Sequence, residues 1–291
     1  MNSNDFPALY LSADAASASA QFSYLTLMRI QYALLIVAAI ISLWFGGSSD
    51  VYVAYAAIVS FSTVVLLYTA VQKPEKDWYA CRALAESIKT ATWRYMMRAE
   101  PFDGAQKSPE VKRKFAGFLK SILESNAHIR EPISKKPRTG SQITTAMEDM
   151  RSLPLAERMA RYREARIENQ RTWYVGRTKA NRRNFTLWIV VCTIVQGLAI
   201  ILALVRIPHN SALSIWPTEP LLVLASSIIG WIQIKKFNEL ASAYSLTAHE
   251  IGIALTRLDD VNSEKEFSDF VNDAERAFSR EHTQWVARLT E

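Results

Sequence analysis

The chain has 291 residues, 49% of them hydrophobic and 21% charged, with a formal net charge of +6. Those averages are those of a soluble protein, but they conceal two populations, apolar runs and long polar segments, so the soluble-enzyme reading they suggest is excluded by the runs themselves. Two cysteines, Cys81 and Cys192, leave no disulfide framework, and both read as buried structural thiols.

Residues 1–20 have no basic start and no long apolar centre, so no cleavable signal is expected and the first span is read as an uncleaved one. Four apolar stretches follow as two pairs: 30–46 with 51–71, and 184–205 with 215–234. Each is close to the ~20 residues that a helix needs to cross a bilayer. The first three carry no charge, and the fourth carries only Glu219 near its start.

Between the pairs, 75–100 reads as a helix with Trp78, Ala85, Ile88, Trp93 and Met96 at helical spacing. Pro74 suits a first helical turn, so the second span bends there and continues. Residues 108–126 read as an amphipathic helix with Ser108 as N-cap, Pro109 at the first position, and Phe115, Phe118, Leu119 and Ile122 on the apolar face. The proline-rich basic stretch 130–143 reads as a linker. A short helix to about Arg151, a turn at Pro154, and a long basic helix then lead into the third span. Beyond the fourth span, 235–258 is expected to continue as helix with no proline break, 259–263 to turn, and 264–288 to form a last helix. The organisation is thus 1–26, an N-terminal cytoplasmic segment; 27–71, a transmembrane hairpin; 72–183, a cytoplasmic helical region; 184–234, a second hairpin; and 235–291, C-terminal cytoplasmic helices. The repeat is architectural and parallel, unlike the inverted repeats of many transporters.

Loop charge sets the expected topology. The turn 46–50 has no Lys or Arg and the loop 206–219 has only Arg206, whereas Lys73, Lys76, Arg82, Arg177, Lys179, Arg182, Arg183, Lys235 and Lys236 flank the opposite ends of the spans. This predicts a multi-pass protein of the inner (plasma) membrane, N-in and C-in. Segment 71–184 carries 25 basic against 13 acidic residues, and the tail 235–291 carries 7 against 11, so the two are expected to attract each other.

Three sets of residues carry functional expectations. Arg158, Arg161, Arg163, Arg166, Arg171 and Arg177 form a dense basic stretch, read either as positive-inside charge against anionic headgroups or as a site for an anionic ligand such as a cyclic nucleotide, or for an acidic partner. DNA is not expected, because no compact reading motif accompanies the charge. Arg82, Glu86 and Lys89 form a ladder on one helix face, to which Arg280 and Glu281 could add a lock on the bundle. Within the spans, Gln196, Ser226, Gly230 and Gln233 lie among small residues. Helix packing is one reading, and a polar path through an oligomer is the other. No span carries an ionisable residue at mid-depth, which argues against a proton-coupled pump. No cofactor, metal or catalytic signature is present: His249–Glu250 and Glu281–His282 are helix neighbours whose side chains diverge.

The runs RALAESIKTATWRYMMRAEPF at 82–102, ENQRTWY at 168–174 and FSREHTQWVAR at 278–288 resemble segments of the SLATT superfamily, of which this chain looks like a double-hairpin member. The resemblance covers most of 20–290. It implies a membrane effector associated with bacterial nucleotide-signalling defence loci, pore-forming and triggered by a nucleotide second messenger or its sensor protein, and it carries over no catalytic residues. The expected fold is all-α, with four transmembrane helices in two hairpins and a cytoplasmic helical bundle formed by extensions of the spans. The expected function is a homo-oligomeric, pore- or channel-forming effector in contact with membrane lipid. The alternative is a non-conducting anchor or scaffold for a soluble signalling partner. An enzyme is not expected.

Overall fold

A computed structural model describes residues 2–45, 48–104, 108–126, 129–208 and 215–287, leaving out the side chains of 3 and 279–287. Among the described residues all regular structure is helical. The chain divides into two compact units. One holds Met1–Phe22, Pro74–Val175 and Ala243–Glu291; the other holds Ser23–Lys73 and Gly176–Ser242.

The second unit is built from α1 (Ala8–Ile41, of which it takes the part from Ser23), α2 (Ser49–Gln72), α8 (Asn169–Arg206) and α9 (Thr218–Lys235). Their apolar runs form helices because hydrocarbon offers no partner to a backbone N–H or C=O, and a helix satisfies both internally. Val53, Val64, Leu67, Ile194, Ile200 and Leu204 point outward, each more than half exposed. Four helices are long and apolar enough to cross a membrane. So apolar an exterior would aggregate in water and suits a bilayer. The chain is a multi-pass membrane protein. Trp231 lies beneath Arg29 (5.3 Å) and Lys235 (5.9 Å), and Trp216 beneath Arg206 (5.9 Å). Such indole–cation pairs suit the polar boundary of a bilayer.

Both hairpins end in the same way. Lys73 follows α2 with φ 46°, and Lys236 follows α9 with φ 47°, both left-handed. The bend at Pro74, which opens α3 (Pro74–Met97), agrees with the sequence. The bend at Lys236 does not: the expected uninterrupted helix is broken there, and α10 (Phe237–Leu258) starts afresh. No proline or glycine marks the site. Lys236 N–H donates to the carbonyls of Ile232 and Gln233, closing α9, and Leu240 N–H donates to Lys236 O, opening α10. With the backbone bonded on both sides of the bend and Phe237 buried, the ~1 kcal/mol cost of a left-handed lysine is offset.

In the first unit α3 is the central helix. Leu84, Ala85, Ile88, Ala91, Trp93, Tyr95, Met96 and Met97 are all buried. Around it pack α4 (Pro109–Ser125) through Phe115 and Leu119, α6 (Thr145–Ser152) through Met147, α7 (Leu155–Tyr162) through Tyr162, and α11 (Glu264–Ala287) through Phe267, Phe270 and Val271. Ser263 caps α11: its Oγ accepts from Glu266 N–H, while Glu266 Oε2 accepts from Ser263 N–H. A π-helical turn, Arg163–Glu168, separates α7 from α8.

The N-terminal segment, for which no element was read from the sequence, is helical from Ala8, and Phe6, Tyr10, Ala13 and Ala16 belong to the core. Its small residues permit close approach, and Ser17 Oγ donates to the Trp78 carbonyl. One expectation needs correction here: 130–143 is not a free linker. It contains α5 (Arg130–Ser134), and its remainder caps α1: Ser141 O accepts from Ala8 N–H (3.2 Å) and Gln142 Oε1 from Leu9 N–H (3.1 Å). Orphan donors of a helix start must be satisfied somewhere, and a partner over 130 residues away has no local sequence signature.

Candidate functional site

The polar residues of the membrane unit divide by whether the chain itself satisfies them. Gln31 on α1 does have a partner: its Nε2 donates to Ser62 Oγ on α2 at 2.8 Å, and Ser62 is buried. Gly230 is a packing residue. A Cβ placed on it would lie 2.3 Å from Tyr32 Oη and 3.0 Å from Tyr32 Cζ, so any larger residue at 230 must displace the end of the Tyr32 ring. This contact accords with the packing reading, one of the two that the sequence offered for this position. Ser226 and Gln233 are different. With Leu222 and Ile229 they form an exposed stripe at positions i, i+4, i+7 and i+11 of α9. Gln196 on α8 is also exposed. Cys192, buried, points its thiol at the Ala225 carbonyl at 3.8 Å.

In the first unit the basic stretch is dispersed into separate pairs. Arg166 makes a bidentate ion pair with Glu275 of α11, Nε to Oε1 at 2.8 Å and Nη2 to Oε2 at 2.7 Å, and both residues are buried. Tyr162 Oη donates to the same Glu275 Oε1 at 3.0 Å. Burial opposes the charge on Arg166, but Glu275 outweighs it and raises the guanidinium above its ordinary value. Burial and Glu275 together push the Tyr162 hydroxyl well up. Arg158, also fully buried, donates to the Leu153 and Met97 carbonyls (3.0 and 2.7 Å) and pairs with Glu264. Arg163 pairs with Asp259. The acids of the tail thus hold three of the six arginines, which is how the expected attraction between basic and acidic segments is realised. Arg161, Arg171 and Arg177 are exposed; Arg171 lies along Gly252 of α10, within 3.4 Å of where a Cβ would stand.

The ladder forms in part. Arg82 reaches Glu86 at 2.5 Å and Asp14 of α1 at 3.2 Å. Glu86 and Asp14 raise Arg82 against the opposing effect of burial. Lys89 is lowered by burial, which outweighs Glu86, with Arg166 and Arg82 adding repulsion. The side chains of Arg280 and Glu281, expected to join this ladder, lie outside the described residues. Asp14 lies in the N-terminal segment, where a single acid gave no signal of this role. Glu275 was equally unmarked in sequence, being one of many acids in the tail.

Three buried donors around this core have no acceptor among the described atoms: Arg166 Nη1, Trp93 Nε1 and Arg94 Nε. A buried donor without an acceptor is costly, so these three atoms offset part of what the Arg166–Glu275 pair contributes. No group of three or more metal-ligating side chains occurs among the described residues. Cys81 is buried and raised to about 12, by burial first and then by Asp77, so its thiol is inert. The arrangement serves charge pairing and helix association.

Two family models match the chain in tandem. The one described as "SMODS and SLOG-associating 2TM effector domain 3" (SLATT) matches residues 7–159, and "SMODS and SLOG-associating 2TM effector domain 1" matches 162–285. Each match contains one of the two hairpins. No curated protein and no solved structure matches.

Proposed function

Since the chain belongs to the SLATT family of two-span membrane effector domains, we propose that it is an oligomeric membrane effector that opens a polar path through the bilayer when its soluble bundle is switched. The observation that carries this reading is the exposed stripe of α9. Ser226 stands on the outside of a single chain, where lipid offers its hydroxyl no partner, and Gln233 continues the stripe toward the polar boundary at Trp231 and Lys235. Several copies arranged about an axis would turn that stripe toward water. One chain of four spans encloses too little space for such a path.

The switch is the packing of α11 against the basic helices. Arg163 and Asp259 are both open to solvent, and Glu264 exposes its carboxylate beside buried Arg158, so an anionic ligand, such as a nucleotide messenger, or an acidic sensor protein competes first for Arg163. Arg161, Arg171 and Arg177 add positive charge to attract it. Loss of the outer pairs leaves Arg166–Glu275, already short of acceptors, to hold the bundle. This is a two-state element that a ligand biases by its differential affinity. The setting is a bacterial nucleotide-signalled defence system in the inner membrane, with both termini and the first unit cytoplasmic. The Lys/Arg asymmetry supports that orientation. A cysteine placed at Ser48 is then labelled by an impermeant thiol reagent in intact cells, and labelling at Ser141 instead reverses the orientation.

Purified protein reconstituted in a planar bilayer is the test of conduction. The expected result is current, increased by polyanions that compete for the arginines. Absence of current under every condition, with a soluble partner still bound, supports the scaffold reading instead.

A further inference from the structure

Within the spans, Gln31 and Gly230 owe their residue types to contacts inside the chain: one bonds Ser62, and the other makes room for Tyr32. Gln196 and Gly197, side by side on α8, have no such reason. Gln196 is exposed and has no hydrogen-bond partner among the described residues, and a Cβ on Gly197 would have nothing within 4 Å. Glycine weakens a helix interior relative to alanine, so an open position gains nothing from it unless something else comes close.

The two share a face. At 3.6 residues per turn, Gln196, Ile200, Thr193 and Gly197 fall within an arc of about 100°. Thr193 Oγ1 is satisfied by the Ile189 carbonyl at 2.9 Å, so Thr193 serves this face as a small residue. Thr193 and Gly197 then have the four-residue spacing that lets another helix approach closely. Gln196 lies ~18 Å along the span from residue 184, near the middle of a hydrocarbon core ~30 Å thick. At that depth neither water nor a headgroup reaches its amide.

We propose that this face of α8 is the contact between copies of the chain, with the Gln196 amide bonded to a second copy across the close approach that Gly197 permits. A second copy is the occupant the chemistry selects. A carboxamide carries both donors and an acceptor and is therefore complementary to itself, and the same face supplies the small residues on both sides. This inference rests on the oligomeric reading above and assigns it a surface. It moves Gln196 from the wall of a path to the seam between subunits, and leaves Ser226 and Gln233 on α9 to line the path.

The test is self-association of the full-length purified protein in phosphatidylcholine liposomes, read by energy transfer between labelled copies as lipid dilutes the protein. Gln196→Leu removes the amide while favouring insertion, so the variant remains folded in the bilayer. It should dissociate at a protein-to-lipid ratio about tenfold higher than the wild type, the effect of one interhelical hydrogen bond of about 1.4 kcal/mol. Gly197→Ile should shift the curve in the same direction by steric exclusion. Leu198→Ala, exposed and about 150° around the helix from the centre of this face, should leave it unchanged. Unaltered association of both Gln196→Leu and Gly197→Ile overturns the interface, as does a wild type that is monomeric at every dilution. Conductance separates this outcome from failure of the functional reading. If Gln196→Leu disperses copies of a protein that never conducts, the interface stands and the pore falls. If the protein conducts and its association ignores both substitutions, the pore stands and the interface falls.

Discussion

The two units handle polar groups in opposite ways. In the first, charged side chains are taken inside and paired there: Arg166 with Glu275, Arg158 with Met97 O, Leu153 O and Glu264, and Arg151 with Tyr95 O at 2.5 Å. In the membrane unit the buried polar residues, such as Ser62, Thr178 and Ser227, are uncharged, and Gln196, Ser226 and Gln233 are left on the outside. A bundle with polar faces can leave surplus charge to solvent, so the charge it buries is mostly paired. A span has no solvent to turn to, and a polar group on its outer face needs a partner that the chain does not contain. The first unit thus pairs most of its buried charge within one chain, whereas the second leaves Gln196 and Ser226 facing outward.

The largest effect that would break this contrast is loss of the buried pair. Glu275→Ala strands Arg166 in the core and should cost about 3–5 kcal/mol of bundle stability, measured by thermal unfolding in detergent. The double variant Arg166→Met, Glu275→Leu should regain most of it. If Glu275→Ala unfolds like the wild type, the pair does not hold the bundle. Next comes Gly230→Leu, which forces a side chain onto Tyr32 and should cost about 1–3 kcal/mol through strain between α1 and α9. Normal stability with reduced conductance would return Gly230 to the wall of a path.

The smallest effect is a pH dependence. Glu148 accepts from Lys112 Nζ (2.6 Å) and from Tyr95 Oη. Burial alone would raise its carboxyl, but these two hydrogen bonds outweigh burial and hold it below the usual carboxylate range. A depressed folded value means that the contribution is complete above the unfolded carboxylate range and is lost as pH falls through the folded one. Lys112 is partly exposed, so solvent screening limits the contribution to about 1 kcal/mol or less. Glu148→Gln should therefore lower the melting temperature slightly at neutral pH and flatten its decline in acid. Parallel acid limbs in the two proteins would remove Glu148 from the account.

Sequence alone determined what accumulates along the chain. Runs of apolar residues set the four spans, helical periodicity set α3, α4 and α11, and summed charge drew the acidic tail to the basic helices. Each is a property of many residues, and neighbours reinforce it. Tertiary structure decided what depends on a single partner. Arg158 and Arg166 are buried while Arg161 and Arg171 are exposed, yet in sequence all four are one basic stretch. The stretch 130–143 looked like a linker because its bonds are made to the start of α1. Gly230 looked like part of a polar stripe because Tyr32, which needs its missing side chain, lies on another helix. A hydrogen bond or a close approach is fixed by two residues brought together in space, and pattern along one segment carries no record of the other.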